Sequence, residues 1–459
     1  MIDLSFLKAK PKKVRLPLNA DYLRLYYALK YSFDKTYMFE SLVSPKQQDR
    51  YFTIGFDPLY VFSARGRKLR IEGQEKTEEI KTGNPYEKLK SFLPKIPASN
   101  KYQGGLIGYF SYEAANYFEP ALNLDEHPGF PVFELGLYVD GLIYDRETDE
   151  LTYYTYHEDR SSTVENIIGQ LDGLDLPRHV ESVESGEYSI DKPEYLRVVE
   201  RTLEEIKKGN SFQVEVGFKK DYRIKGDKFA IYNRLREVNP SPYMYYVHFG
   251  QREVFGSSPE LVVSATGGRI LTTPTAGTVR RGKSEQEDKE LARQLLNDPK
   301  ERAEHAMLVD LHRNDISIVS KYGSVKVEEL MHLIKFKYVQ HIYSDIVGEL
   351  RPDKDSFDLL AGIMPCGVVT GAPKIETMKI IARNEKIPRG PYGGAVGRFS
   401  FNGDCAFAMP IRSLFCNGDD CYTQACGGVV FDSIPEKEYD EVIAKLAGME
   451  KTIKDVSND

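Results

Sequence analysis

Two predicted helices in this sequence each carry a pair of glutamates at a spacing that suits metal binding. The first helix begins after Asp298, a good N-cap, and the second opens at Pro435. Within each helix the two glutamates are three residues apart and therefore lie on one face. The four residues are Glu301, Glu304, Glu438 and Glu441. Two such faces can meet around one hard cation, although glutamates at this spacing are common on solvated helices and either pair alone is a weak signal.

Other segments have residues that suit general acid chemistry or an anionic ligand. Glu260 follows the proline of GSSPE, where burial would raise its pKa and let it act as a general acid; the segment also reads as an ordinary turn. Arg412 lies between the apolar runs FAMPI and SLF, so its charge needs a partner, for example an anionic ligand. The small residues of QACGGVV allow backbone N–H groups to approach an anion, or form a bend in a sheet. His341 alternates within a predicted strand, where a lone histidine is more often structural than catalytic.

Charge, hydropathy and cysteine content argue against several classes of protein. The chain has 459 residues and a formal net charge of -7, with acidic and basic residues interspersed, so it offers no basic stripe for nucleic acid. No apolar run reaches membrane length, and the N-terminal MIDLSFLKAKPKKVRL lacks the apolar stretch of a signal peptide. The five cysteines lie between Cys366 and Cys426 and form no CxxC pair, which favours a reduced, cytoplasmic protein.

The elements that must position these residues indicate an α+β fold. Between residues 20 and 178 predicted strands alternate with turns, and helices are expected at 21–31 and 161–171. The stretch LDGLDLPRHVESVESGEYSIDK, with two glycines, a proline and polar residues, then predicts a linker, which we place at 179–190. Asp191 caps a further helix, after which hairpin-linked strands resume with helices inserted between them. This order predicts antiparallel sheets and two lobes, one on each side of the linker.

Ten motifs, in the order found here, resemble those of the chorismate-utilising enzymes. They are KGNSFQVEV, NPSPYMYY, GSSPE, PTAGTVRRG, DPKERAEHAMLVDLHRND, YVQHIYSDIVGEL, PCGVVTGAPK, RGPYGGAVGRFSF, PIRS and QACGGVVFDSIPEKEYDEV. Within that family the chain most resembles the large, synthase subunits of anthranilate synthases. The resemblance implies antiparallel sheets packed in a sandwich with surrounding helices. It also implies a regulatory lobe over 1–178 and a chorismate-binding catalytic lobe over 191–459, joined by the linker.

The resemblance further implies an Mg2+-dependent reaction of chorismate with ammonia. Ammonia adds at C2 of the ring while the C4 hydroxyl leaves, which gives aminodeoxyisochorismate; loss of pyruvate then leaves anthranilate. By similarity, the Mg2+ site has Glu304 and Glu441 as direct ligands, with Glu301 and Glu438 in support through water. Glu260 would protonate the departing hydroxyl, and His341 would serve the elimination. The residues implied to hold the substrate are Thr278, Tyr392, Arg412, Gly427, Gly428 and Lys374.

Three positions separate the activities within the family, and one of them, His341, points towards pyruvate elimination, although it is less exclusive than Ala276. Isochorismate and salicylate synthases have a water-activating lysine where this chain has Gln213, so we do not expect water to be the nucleophile in this chain. Aminodeoxychorismate synthases typically have a nucleophilic lysine where this chain has Ala276, so amination at C2 is favoured over the aminodeoxychorismate alternative. A non-catalytic, effector-binding relative is a further alternative, which the intact set of carboxylates disfavours. The chain departs from the usual family pattern at Val368, Cys426 and Arg398.

Regulation and the ammonia source are also implied by the resemblance. MFESL and NPSPYM resemble the two walls of the tryptophan-binding pocket of feedback-sensitive members. The pocket residues would be Glu40, Ser41, Pro242, Tyr243 and Met244, whose alternative role is to pack the lobes together. None of the five cysteines lies in the G-x-C-x-G elbow of a class I glutaminase. A separate glutamine amidotransferase subunit is therefore expected to supply ammonia.

Overall fold

The computed structural model describes residues 4–8, 10–17, 21–43, 50–93 and 103–457. In chain order its strands are β1 Lys12–Leu16, β2 Lys35–Glu40, β3 Tyr51–Phe56, β4 Tyr60–Arg65, β5 Lys68–Gly73, β6 Thr77–Lys81, β7 Gly105–Phe110, β8 Phe133–Tyr138, β9 Asp140–Asp145, β10 Glu150–Thr155, β11 Ser182–Tyr188, β12 Gln213–Lys225, β13 Tyr243–Phe249, β14 Arg252–Ser258, β15 Leu261–Thr266, β16 Arg269–Thr272, β17 Thr275–Arg280, β18 Lys326–Lys335, β19 Val339–Glu349, β20 Gly371–Ala372, β21 Ala395–Ser400, β22 Cys405–Ala408, β23 Ser413–Asn417 and β24 Asp420–Val429.

The α-helices lie between these strands and at the C-terminal end of the described chain. They are α1 Tyr22–Ser32, α2 Pro85–Lys90, α3 Ala115–Phe118, α4 Ser161–Ile168, α5 Lys192–Lys207, α6 Phe229–Val238, α7 Glu285–Asn297, α8 Pro299–Ser317, α9 Ser356–Ile363, α10 Lys374–Asn384 and α11 Pro435–Asp455. The predicted helix starts are confirmed, because the side chains of Asp191 and Asp298 accept hydrogen bonds from the first turns of α5 and α8. No helix in the described ranges is both long and apolar enough to cross a membrane.

The strands form two antiparallel sheets of twelve strands each, which confirms the α+β prediction. The first sheet runs in the order β1-β10-β9-β3-β2-β13-β14-β23-β24-β12-β11, with β20 beside β12. The second runs β17-β19-β16-β15-β22-β21-β7-β8-β4-β5-β6, with β18 beside β19. One apolar cluster joins inward-facing side chains of both sheets, including Tyr245 and Phe415 of the first and Phe62 and Phe110 of the second. The outer face of the first sheet is covered by α1, α4, α6 and α11, so the sheets pack as a sandwich with helices outside it.

Both sheets contain strands from each side of the predicted linker. In the first sheet β2 pairs with β13, and in the second β7 pairs with β21. The segment 179–190 itself contains β11, an edge strand paired with β12. The assignment of separate regulatory and catalytic roles to 1–178 and 191–459 stays a prediction, and the two regions share both sheets.

Candidate active site

The four predicted metal-binding glutamates come from the first two turns of α8 and α11. Asp298 fixes the start of α8 by accepting hydrogen bonds from the backbone N–H groups of Lys300 and Glu301, at 2.9 and 3.0 Å. On α11, Glu438 is buried, and its Oε1 accepts a hydrogen bond of 2.7 Å from the Ser433 hydroxyl. Its other oxygen, Oε2, is buried without a partner among the described residues. A buried carboxylate oxygen without a donor needs a cation or water beside it.

The electrostatic effects of these residues on one another show that the glutamate-bearing faces of α8 and α11 lie close together. Burial disfavours the charged form of Lys300, but the carboxylates of all four glutamates outweigh it and raise the pKa of this lysine. Burial raises the pKa of Glu304 to about 7, and Glu301 and Glu441 add to the rise while Lys300 opposes it. Burial is also the largest cause of the raised pKa values of Glu301 and Glu438. The site therefore has an excess of carboxylates, which a bound cation would relieve.

The four carboxylates do not converge as closely as a complete cage of direct ligands would. Among the described residues, three ligand atoms within 4.8 Å of one another occur only at Glu329, His332 and Asp345, on β18 and β19. The wider spacing of the four glutamates is compatible with a cation such as Mg2+, which keeps several waters and takes one or two carboxylates directly.

Glu260 and Arg412 lie close enough for the charge of each to act on the other. Glu260 directly precedes β15 and is 8% exposed; burial raises its pKa to about 7, against the opposing charges of Arg412 and Lys445. Arg412 precedes β23 with a left-handed φ of 51°. Its guanidinium makes no hydrogen bond or ion pair within the part of the chain described, and burial lowers its pKa. A half-buried, unpaired guanidinium near a carboxyl that is about half protonated at pH 7 suits an anionic ligand.

His341 lies on β19 directly opposite Thr278 of β17. Its Nδ1 is 2.8 Å from the Thr278 hydroxyl and 3.3 Å from the Gly277 carbonyl oxygen. Because that carbonyl can only accept, the contact favours the tautomer with the proton on Nδ1 and a free lone pair on Nε2. Nε2 is buried without a partner in the described chain, and burial, aided by the charge of Arg412, lowers the pKa of His341 to about 3. The ring is thus neutral and has an unused acceptor.

Tyr392 joins a buried polar chain that includes one of the departures from the family pattern. The Tyr392 hydroxyl donates to the Cys426 sulfur at 3.1 Å, and the thiol contacts Glu215 Oε2 at 3.2 Å. Gln213 Nε2 donates to the other oxygen of Glu215 at 3.0 Å. A Cβ at Gly428 would lie 2.3 Å from that amide nitrogen, so only glycine lets β24 approach β12 this closely.

Lys374 is placed differently from the other predicted substrate-binding residues. Its ammonium donates to Asp315 at 2.7 Å and to the carbonyl oxygen of Ile363 at 2.9 Å, and it is largely buried. No hydrogen bond or ion pair in the described ranges links it to Arg412 or Tyr392. Its predicted contact with substrate remains a prediction, and its observed contacts brace α8 against α10.

The predicted effector residues meet where β2 pairs with β13, with Glu40 opposite Met244. Both oxygens of Glu40 are occupied, because Arg236, Tyr22 and Tyr232 donate four hydrogen bonds of 2.7 to 3.0 Å to them. Ser41 follows at the end of β2, and its buried hydroxyl has no partner among the described residues. Pro242, directly before the facing strand β13, is buried, and Tyr243, the first residue of that strand, is partly exposed. The cluster thus combines a structural ion pair with one unused polar group.

Sequence reasoning missed two charged residues that the fold brings to this site. Glu215 is 6% exposed on β12, and its period-two spacing from Gln213 was the available signal that both side chains share a face. Lys445 lies four residues after Glu441, a spacing typical of an ordinary helical ion pair, and it contacts the Glu441 carboxylate at 2.7 Å. It also donates to the Cys426 carbonyl oxygen at 2.8 Å, and its charge acts on Glu215 and Glu260.

The other two departures lie within the fold outside this polar chain. Val368 belongs to a 3-10 turn and packs, partly buried, against the apolar cluster between the sheets. Arg398 lies on β21, paired with Ile107 of β7.

The fold and the site together define an enzyme that acts on chorismate. The family model described as chorismate binding enzyme matches residues 34–451, and the chain therefore belongs to this family. The chain is 42% identical over 450 residues to the anthranilate synthase component 1 of Leptospira biflexa, with 96% of each chain covered. It is 34% identical to the aminodeoxychorismate synthase component 1 of Bacillus subtilis, covering 90% of this chain and 91% of that protein. The crystal structure of anthranilate synthase component I from Streptococcus pneumoniae TIGR4 superimposes with a TM-score of 0.78 at 30% identity, covering 89% of this chain and 94% of that one.

Proposed function

We propose that this chain is the synthase subunit that converts chorismate and ammonia to anthranilate and pyruvate through aminodeoxyisochorismate, the first step of tryptophan biosynthesis. The observation that carries the proposal is that Glu260, a buried carboxyl with a pKa of about 7, lies within the electrostatic influence of Arg412, whose guanidinium has no ion-pair partner in the described chain. Chorismate has two carboxylates and a hydroxyl that must leave as water. An unpaired cation and a protonated carboxyl supply what that substrate requires.

In this mechanism the substrate is held by groups that have unused hydrogen-bonding capacity. Arg412 grips one carboxylate, aided by Tyr392 and Thr278 and by the backbone of Gly427 and Gly428. Glu260 donates its proton to the C4 hydroxyl as the C4–O bond breaks and the new C–N bond forms at C2. His341, neutral and with a free Nε2, then removes the C2 proton as pyruvate leaves. The carboxylates of bound substrate would raise the pKa of this histidine and strengthen it as a base. Lys374 would contact the second carboxylate of the substrate, a role that rests on the family resemblance alone.

The excess of carboxylates on α8 and α11 suits Mg2+ as the cofactor. Glu304 and Glu441 would be its direct ligands, and Glu301 and Glu438 would hold it through water, with the unpartnered Oε2 of Glu438 as one acceptor. The bound ion would neutralise the ring carboxylate and the charge that develops as the hydroxyl departs.

Ala276 favours anthranilate over 4-amino-4-deoxychorismate as the product. It lies on β17 at the bulge before Thr278, where its methyl group cannot act as a nucleophile on the ring. The 34% identity to an aminodeoxychorismate synthase keeps that activity as the second candidate.

Ammonia would come from a separate glutamine amidotransferase subunit, and tryptophan would inhibit the enzyme. The unpartnered hydroxyl of Ser41, beside Pro242 and Tyr243, supports an effector pocket that holds a polar ligand. Glu40, which the hydrogen bonds from Arg236 hold in place, would form part of the wall of this pocket.

The deciding experiment incubates the purified chain with chorismate, Mg2+ and an ammonium salt and separates the products by chromatography. We expect fluorescent anthranilate and an equal amount of pyruvate, both abolished by a chelator. Formation of 4-amino-4-deoxychorismate would instead support the second candidate. Chorismate left intact, even with an amidotransferase partner and glutamine, would refute both and favour a non-catalytic relative.

A further inference from the structure

The carboxyl group of Glu215 is buried at the centre of the site, yet the roles proposed above leave it unused. It lies on β12, where backbone pairing places it opposite Gly428 of β24. Its Oε1 accepts from Gln213 Nε2 at 3.0 Å, and its Oε2 contacts the Cys426 thiol at 3.2 Å. Each carboxylate oxygen can accept a second hydrogen bond. The group therefore has the capacity for two more donors, one on each oxygen.

A second acceptor lies next to this carboxyl group. A carboxylate can only accept, so the Gln213 amide must turn its NH2 group toward Glu215, which fixes the position of its oxygen. That oxygen, Oε1, is buried and has no partner among the described residues, and Gln213 is 6% exposed. Two adjacent, unsaturated acceptors suit a small molecule with several N–H donors.

The charges around Glu215 hold it between its two protonation states. Burial raises its pKa to about 7, with Glu441 adding to the rise, while Lys445, Arg389 and the Cys426 hydrogen bond oppose it. The charge of Glu215 in turn raises the pKa of four groups on the surrounding elements: Glu260 before β15, Glu304 of α8, Tyr195 of α5 and Tyr392. The positive charge of Lys445, on α11, favours the ionised form of Glu215.

We propose that Glu215 is the catalytic base of the amination step, which it serves from a nitrogen-binding site shared with Gln213. The inference rests on the proposed function, since it assigns the partner of the ammonia nitrogen. The lone pair of ammonia forms the C2–N bond, and both ring double bonds shift, from C1=C2 to C1=C6 and from C5=C6 to C4=C5, as the C4–O bond breaks. The leaving hydroxyl takes the proton of Glu260 and departs as water. The added nitrogen is then an ammonium group, and it gives one proton to the Glu215 carboxylate to become the neutral amine.

After this step the two carboxyl groups have exchanged their protonation states. Glu260 begins protonated and ends ionised, whereas Glu215 begins ionised and ends protonated. The charge of Glu215 raises the pKa of Glu260, so each state of one residue favours the opposite state of the other. Transfer of one proton between them through solvent restores the enzyme for the next turnover.

The alternative role of Glu215 is to brace β12 against β24, and the two half-reactions separate these roles. Anthranilate formation is measured from chorismate and ammonium salt between pH 6 and pH 9.5, at fixed free ammonia, for the wild type and Glu215→Gln. Pyruvate release is measured separately from supplied aminodeoxyisochorismate, which already carries its nitrogen. Glu113→Gln is the matched control, because Glu113 is also buried, with a pKa of about 7, but lies outside the proposed machinery.

We expect Glu215→Gln to lower kcat/KM for the overall reaction by roughly 10²- to 10⁴-fold, the range for loss of a general base. The acid limb of the pH profile should disappear, and pyruvate release from the supplied intermediate should stay within about threefold of wild type. In Glu215→Ala, added formate should restore part of the amination by filling the space of the missing carboxylate. Glu113→Gln should behave as wild type.

Equal loss in both half-reactions, without rescue by formate, would overturn the proposal in favour of a structural role. Wild-type amination by Glu215→Gln would overturn it directly. If the wild-type chain itself forms no anthranilate, the proposed function fails first and this inference falls with it. That outcome is distinguishable because it is seen before any variant is compared.

Discussion

Replacement of Glu260 by glutamine removes the proton that the departing hydroxyl needs while it preserves the size of the side chain. Burial moves the pKa of Glu260 from an ordinary 4.5 to about 7. At pH 7 this raises the protonated fraction from about 0.3% to about one half, a gain of about 150-fold, equivalent to roughly 3 kcal/mol at 1.36 kcal/mol per factor of ten. Above pH 7 the protonated fraction falls about tenfold for each pH unit, so catalysis should fall with it.

The assay is kcat/KM for chorismate between pH 6 and pH 9.5, with Mg2+ saturating and free ammonia held constant. We expect the wild type to lose activity about tenfold per unit above pH 7 and Glu260→Gln to lose roughly 10²- to 10⁴-fold at pH 7 without an alkaline limb. A flat wild-type profile between pH 7 and pH 9, or a glutamine variant with more than a tenth of wild-type activity, would refute the assignment of Glu260 as the acid.

Three further outcomes are expected. Glu304→Gln should weaken Mn2+ binding, followed by electron paramagnetic resonance, by at least about tenfold because a direct ligand is lost; unchanged affinity would remove Glu304 from the metal site. Glu40→Ala should lower the free energy of unfolding in urea by about 3–5 kcal/mol because it leaves Arg236 unpaired in a buried site. Lys12→Ala, which breaks an exposed ion pair with Asp159, should cost about 0–1 kcal/mol, and equal losses in the two variants would contradict this reasoning. Tryptophan should raise the melting temperature of the wild type but not of Ser41→Phe, which would fill the proposed pocket; a rise in both would place the effector elsewhere.

Local features of this fold could be predicted from the sequence because neighbouring residues determine them. Asp191 and Asp298 mark helix starts through side chains that bond to backbone groups two or three residues later. The spacing of Glu301 and Glu304 likewise follows from the helical period. Such features need no knowledge of the rest of the chain.

Features that depend on distant partners could not be predicted in this way. Glu215 gains its chemical environment from Cys426 and Lys445, which come from β24 and α11. Lys374 looked available for substrate because its partner, Asp315, belongs to another helix. The pairing of β2 with β13 also has no local signal, since register between remote strands is set by packing of the whole sandwich.

The sharing of both sheets across the linker has a consequence for how the chain is made. During synthesis β2 and β7 leave the ribosome long before β13 and β21, the strands that will cover their open edges. Arg236, which neutralises Glu40, lies 196 residues further along the chain. Until then the N-terminal half carries unpaired strand edges, which are templates for aggregation. We therefore expect chaperones to protect the nascent chain over this interval, and a truncated N-terminal fragment to accumulate in an insoluble form.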